Sequence, residues 1–469
     1  MSGTPDYTPT YESIPGRKIP KSALGACVAC ILIGCVAAGL GFTGGDDARH
    51  TAQGAFLTNF MYFNGIAMGG FIFAAIGMPT YARWQKRYKR ISEAFTLFMP
   101  VSFLLLVVFL ALGGIEVFPW HAEYDTTLPP KKKVYFETSF YWGRIVVGML
   151  LMTVPPLLFV RKSLSADLYV ATQDMQERGI EVPSSWSKGY MLLFKAGNYE
   201  SKEDAVKSSQ SFMLNFAPIL CVTYAIIVSM LAVDLSMSLA PHFFANMFPA
   251  WYFMSAGWSG LVWTTLFAVY ASSWLGLTIE TSSGTDDQGR IAHFRRQDFH
   301  DIGKLTFAFC MFWGYTTFAQ YLPIWYGNMT EEIGYILIRT HSETWSVTTR
   351  VMMVICFLAP YTILLSRGLK KTPAAFGIVA ILMAVGLWLE RFVVNMASVH
   401  TYWMHESPLP LDFTTIGMTL GFGGLFVLVI LKFLEGVPAA VVSDPYMDPH
   451  FDNEDHVEVH PHHDAEHAH

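Results

Sequence analysis

Residues 373–396 read PAAFGIVAILMAVGLWLERFVVNM, a run in which Glu390 and Arg391 are the only charges. An α-helix rises about 1.5 Å per residue, so about 20 apolar residues cross a hydrocarbon core about 30 Å thick. A run this long is too apolar for the single stripe of a soluble helix. Nine more runs of the same kind occur, at 23–43, 55–79, 94–113, 138–160, 212–234, 248–279, 304–326, 345–366 and 412–434. The expected fold class is therefore all-α: a polytopic integral membrane protein with about ten transmembrane helices. A cytoplasmic segment 1–22 precedes a transmembrane domain 23–434, which contains a cytoplasmic loop 161–211. An acidic, His-rich tail 435–469 follows and reads as disordered. The first run starts late, after a Tyr/Pro-rich segment, and is expected to remain as a span rather than act as a cleaved signal.

Composition agrees. Of 469 residues 52% are hydrophobic and 14% charged, whereas a soluble domain carries about 25% charged residues. Too little charged surface exists to cover a soluble body, a disordered chain or a nucleic-acid binder; the solvent is membrane lipid. The six cysteines lie in apolar runs, where Cys acts as a small hydrophobe. Cys27-x-x-Cys30 is followed by Ile31, not by the His of a haem c attachment. Gly65-x-x-x-Gly69-Gly70 reads as a close-packing face on the second span.

Lysine and arginine set the expected orientation. The N-terminus, the even-numbered loops and Lys432 at the end of the last span hold 23 of them, the opposite side five: Arg49, Lys131, Lys132, Lys133 and Arg339. Both termini are thus expected in the cytoplasm.

Redox ligands do not fit this plan. All 15 His fall in loops, at span ends or in the tail, no Cys cluster has iron–sulfur spacing, and no Walker or dinucleotide motif occurs. No metal site is assigned, including in the tail, where seven His stand among Asp and Glu. The charged and polar groups within the spans gather instead at the non-cytoplasmic ends: Arg144, Asp234, Gln320, Arg350, Glu390 and Arg391, with Glu116 and His242 beside them. The cytoplasmic half is expected to hold only edge groups such as Glu280, Asp301 and Lys304. A charge in a span costs about 2.5–3.5 kcal/mol on the insertion scale and so marks a candidate site. These groups read either as pairs tying helices together or as a quinone headgroup pocket with a proton path. Glu390 and Arg391, about 100° apart around a helix, are expected to satisfy each other poorly.

Three segments carry a resemblance. One is Val233–Phe244 (VDLSMSLAPHFF), running into Met247-Phe248. The second begins DIGKL at Asp301 and continues through Phe312-Trp313-Gly314-Tyr315, Phe318-Ala319-Gln320-Tyr321, Ile324–Asn328 and Glu331-Glu332 to Arg339. The third is 119–144, with Trp120, His121, Lys131, Tyr135 and Arg144. Together they resemble the F-type membrane subunit (ActF) of alternative complex III, a bacterial quinol:electron-acceptor oxidoreductase, in the wider NrfD/polysulfide-reductase membrane-anchor group. Two features depart from that pattern: Ala240 stands in place of an expected Asp, and Leu389–Phe392 is closer to the C-type sister subunit (ActC).

The resemblance implies a subunit of the bacterial inner membrane that works only with partners: the C-type sister, a periplasmic iron–sulfur subunit and multihaem cytochrome c subunits. Haem c and iron–sulfur clusters would reside in those partners. A quinone, menaquinone or ubiquinone, would be the small molecule met by this chain. Asp234, His242, Glu390 and Arg391 are then candidates for proton handling or the quinone pocket, with Arg144, Arg350 and Gln320 in a surrounding polar cluster. The outer loops 114–137 and 327–344 would dock the redox partners. Two other readings stay open, a secondary transporter and a purely structural anchor for redox subunits. Against the transporter, the Pro155-Pro156 break has no matched partner elsewhere.

Overall fold

The structure, a computed structural model, describes residues 17–124, 130–184, 186, 194–279, 293–404, 409–439, 441 and 443. The helices that build the body are α1 (Lys21–Phe42), α2 (Asp46–Ile76), α3 (Lys86–Ala94), α4 (Phe98–Ala111), α5 (Thr138–Leu151), α6 (Val154–Glu177), α7 (Lys202–Leu235), α8 (Phe248–Tyr270), α9 (Arg296–Gly327), α10 (Thr330–His341), α11 (Ser346–Met353), α12 (Ala359–Leu364), α13 (Pro373–Trp403) and α14 (Phe413–Glu435). Among the described residues, eight helical stretches are long and apolar enough to cross a membrane. The chain is an all-α, multi-pass membrane protein. Two more helices, α8 with 23 residues and α9 with 32, have the length but are richer in Trp, Tyr, Ser and Thr. Each of the ten expected runs is thus helical over most of its length. The only strands among the described residues are a two-residue parallel pair, Thr278–Ile279 with His293–Phe294.

Local chemistry sets where the helices begin and break. Ser201 Oγ accepts the Asp204 N–H at 3.1 Å and caps α7; Asp412 accepts the Thr415 N–H at 2.9 Å and caps α14. Pro373 opens α13 at a position where its missing N–H costs nothing. Pro155 and Pro156 begin α6, so the long fourth span is split from α5 at Met152-Thr153. Pro360 follows a π-helical turn, Val354–Leu358, that joins α11 to α12.

At the centre runs α2, buried from Thr51 through Gly70 and packed against α7, α8, α13 and α14. Glycines permit the tightest approach: a Cβ on Gly260 of α8 would lie 2.2 Å from the Gly70 nitrogen of α2. Small residues let helices close in where lipid supplies no hydrophobic drive. The Gly65–Gly70 face does serve packing, as its spacing indicated. The outward faces are apolar: Leu32, Val36 and Leu40 on α1, Leu104 and Val108 on α4, and Ile219, Val222 and Ile226 on α7 are exposed. In water such faces would aggregate; against lipid chains they are at rest.

Several boundaries differ from expectation. The sixth span ends at Tyr270 rather than 279, because the chain turns through Gly276 at φ 72° and enters the strand pair. Most of 161–211 is not a loop: α6 runs on to Glu177 and α7 starts at Lys202, their polar ends packing over Trp186. Val437–Ala439, Val441 and Ser443 belong to the body and not to a tail. Val437, Ala439, Val441 and Ser443 are buried, and Ser443 N–H donates to Asp167 Oδ1 at 2.7 Å. The His-rich stretch, Glu280 and His405 lie outside the described residues.

Candidate functional site

The carboxyl end of α7, the carboxyl half of α13 and the amino end of α2 converge at one end of the bundle, where Pro241-His242 forms a turn. Asp234 sits in the last turn of α7 and is fully buried. Arg144 of α5 reaches it with Nε–Oδ2 at 2.8 Å and Nη2–Oδ1 at 2.9 Å. Tyr135 donates its hydroxyl to the same Oδ1 at 2.9 Å, and Tyr141 donates to the Asp234 carbonyl at 2.6 Å. The Arg144 guanidinium also lies 3.9 Å from the Tyr135 ring centre. Partial burial and the Asp234 carboxylate push the Tyr135 phenol up to about 12.

Glu390 and Arg391 form a second buried centre within α13. Contrary to expectation, the two adjacent side chains are ion-paired: the flexible arginine stem swings its guanidinium back onto Glu390 Oε1. Ser255 of α8 donates to Glu390 Oε2 at 2.6 Å, and the Arg391 guanidinium lies 3.9 Å from the Tyr252 ring. A Ser236–Asn395 side-chain hydrogen bond joins the segment after Asp234 to α13, five residues beyond Glu390.

Arg350 and Gln320 are not brought into this assembly. Among the described residues, the exposed Arg350 hydrogen-bonds only Ser346, in its own helix, and Gln320 donates only to the Thr316 carbonyl of its own helix at 3.2 Å. Both helices turn these side chains toward their own backbone, which shared depth along a sequence cannot reveal. Glu116 pairs with Arg49 at 2.8 Å where both are part-exposed, an arrangement worth little.

His242 holds a different position. Its exposed side chain lines two cavities that share the wall Ala240–Phe243. One, about 610 Å³, is bounded by Tyr335, Arg339, Ser398, Tyr402 and Trp403. The other, about 470 Å³, is bounded by Trp120, Glu123, Lys132, Tyr135 and Glu332. The walls are braced. Tyr402 donates to Glu123 at 2.8 Å, Trp403 Nε1 donates to the Val117 carbonyl at 3.0 Å, and Phe243 stacks on Tyr335 at 3.7 Å. Arg339, 6% exposed, lies on the Tyr335 ring at 3.4 Å and donates to the carbonyls of Tyr335 and Val394 and to Ser398 Oγ.

Reading the sequence for charged groups inside spans missed Arg339, because it stands on α10, outside any apolar run. Its signal was Tyr335 four residues earlier, the spacing that stacks two side chains on one helix face. The expectation of only edge groups at the opposite end fails outright. There Arg90, Glu93 and Asp167 are fully buried, Arg90 bridging both carboxylates. Arg90 sits in a basic stretch that reads as a solvated loop but folds as α3 against the core. Arg17 is buried at the same end, donating to the carbonyls of Leu275, Leu434 and Val437; burial lowers it to about 10.

The chain matches no protein-family model and no curated protein. Reading the site therefore rests on its own chemistry.

Proposed function

We propose that this chain is a membrane subunit of a bacterial quinol:electron-acceptor oxidoreductase, resembling ActF of alternative complex III, and that a quinone ring enters the cavity beside His242. The observation that carries this reading is the cavity of about 610 Å³ itself. Tyr335, Tyr402 and Trp403 supply aromatic walls, while His242, Arg339 and Ser398 supply the few polar atoms. A mostly apolar slot with a small polar set suits a ring with oxygens at its edge. A bound quinol would supply two electrons and two protons. His242 is placed to take a proton and, facing the second cavity with Glu123 and Glu332, to pass it toward water. Asp234, whose two oxygens are filled by Arg144 and Tyr135, is assigned to holding α5 to α7 rather than to proton transfer. Glu390 and Arg391 brace α8 and α13 behind the cavity.

The lysine and arginine asymmetry supports placing both termini in the cytoplasm and the His242 end at the periplasmic face of the inner membrane. Periplasmic iron–sulfur and multihaem cytochrome c partners, and a C-type sister subunit, would then receive the electrons. Purification from native membranes followed by photolabelling with an azidoquinone tests the reading. Labelled peptides from 239–243, 334–339 or 398–403 are expected, together with co-isolated haem c. Labelling confined to a sister subunit overturns it, and isolation of the chain as a solitary protein would favour the transporter reading.

A further inference from the structure

Arg339 combines burial with a place on a cavity wall; the buried Arg17, which also donates to carbonyls, lines neither cavity beside His242. Arg90, Arg144 and Arg391 each face a carboxylate. Among the described residues, Arg339 is bonded only to two carbonyls and one hydroxyl, and its Nε has no hydrogen-bond partner. Of its five N–H groups three are used. Arginine stays charged, and a buried charge without an opposite charge costs several kcal/mol, a cost that an anion bound in the adjoining cavity would offset. Arg339 lines the cavity directly, and the Phe243–Tyr335 stack fixes the plane on which its guanidinium rests. No carboxylate among the described residues lines that cavity: its polar side chains are His242, Tyr335, Arg339, Ser398, Thr401 and Tyr402, with the Trp403 indole.

We infer that this cavity is selective for ring ligands bearing an ionised hydroxyl, a hydroxyquinone or acidic phenol, with the ring against Tyr402 and Trp403 and the anionic oxygen on Arg339. The inference rests on the quinone reading and narrows its ligand class. Neutral quinones fit the walls but leave the charge uncompensated. An ionised hydroxyl compensates it through a charge-assisted hydrogen bond.

The test compares two probes on the complex purified from native membranes: 2-hydroxy-1,4-naphthoquinone, ionised at neutral pH, and its neutral methyl ether. Binding is read by quenching of tryptophan fluorescence and by equilibrium dialysis. The hydroxy compound is expected to bind about tenfold tighter or more. Arg339→Gln should abolish the difference, and Arg339→Lys should restore part of it. Because Arg339 also bonds Val394 and Ser398, the wild-type comparison stands by itself should a variant fail to fold. Equal binding of both probes overturns the anion selectivity while leaving the quinone reading in place. Binding of neither overturns both. Displacement of the hydroxy compound by a short-chain anionic phospholipid, and not by its zwitterionic counterpart, would assign Arg339 to a lipid phosphate and overturn the inference.

Discussion

Arg144 and Asp234 meet in a two-pronged ion pair that joins α5 to the end of α7, with Asp234 fully buried and Tyr135 completing its shell. The pair sits at the depth where a proton carrier was expected, yet the hydrogen bonds of the Asp234 carboxylate all tie α7 to Arg144 of α5 and to Tyr135. Removing one partner of such a pair leaves the other uncompensated, whereas removing both with apolar residues of similar size is often neutral. Asp234→Asn should therefore lower stability by about 3 kcal/mol. Arg144→Met combined with Asp234→Leu should recover most of that loss. Thermal unfolding of the purified protein as a double-mutant cycle checks this; recovery of the melting temperature in the double variant would confirm the structural role.

Tyr135 gives that shell an alkaline limit. Its phenol is raised from 10.0 to about 12, first by burial and then by Asp234. A group held neutral in the fold contributes stability that is complete below pH 10 and lost as pH rises through about 12. Tyr135→Phe should reduce stability at pH 8 and flatten its decline between pH 10 and 12, read from melting temperatures across that range.

Of the four residues shared by both cavities, His242 is the titratable one. If it takes the quinol proton, His242→Gln should lower turnover of the assembled complex by about a hundredfold. Binding of a quinone analogue should remain within a few-fold of wild type. A parallel loss of binding and turnover would make His242 a wall residue only.

Close packing of α2 on α8 makes Gly260 intolerant. A Cβ there would meet the Gly70 backbone at 2.2 Å, while a Cβ on Gly39 of α1 meets nothing within 4 Å. Gly260→Val should abolish accumulation of folded protein, with an overpacking cost above about 3 kcal/mol, whereas Gly39→Val should accumulate normally. Size-exclusion profiles of the detergent-extracted variants distinguish the two.

At the other end of the bundle Val437, Ala439, Val441 and Ser443 are buried, and the Ser443 N–H donates to Asp167. A chain ending at Glu435 should be less stable than one ending at Ser443 by about 2 kcal/mol, since a charge-assisted hydrogen bond and several buried side chains are lost. Equal melting temperatures for the two truncations would show that the segment merely rests on the body.

Helix number and position were legible in the chain because lipid imposes one rule on every span: about 20 apolar residues with all backbone polar groups satisfied internally. The runs at 373–396 and 412–434 needed no partner to be read, and the Gly65–Gly70 face announced its packing role by spacing alone. Which charges meet is a different kind of fact. Glu390 and Arg391 are neighbours in sequence that become partners only because a long side chain folds back, while Arg350, equally charged and at similar depth, turns to its own helix. Arg90 of α3 and Asp167 of α6 are 77 residues apart and meet only in the folded bundle. The cavity at His242, and with it the unpaired Arg339, exists only where a turn, a short outer helix and the end of α13 come together. Hydrophobic periodicity acts along one helix and is local, so the sequence carries it. Pairing and cavities depend on the rotation of each helix against its neighbours, which side-chain packing between helices alone decides.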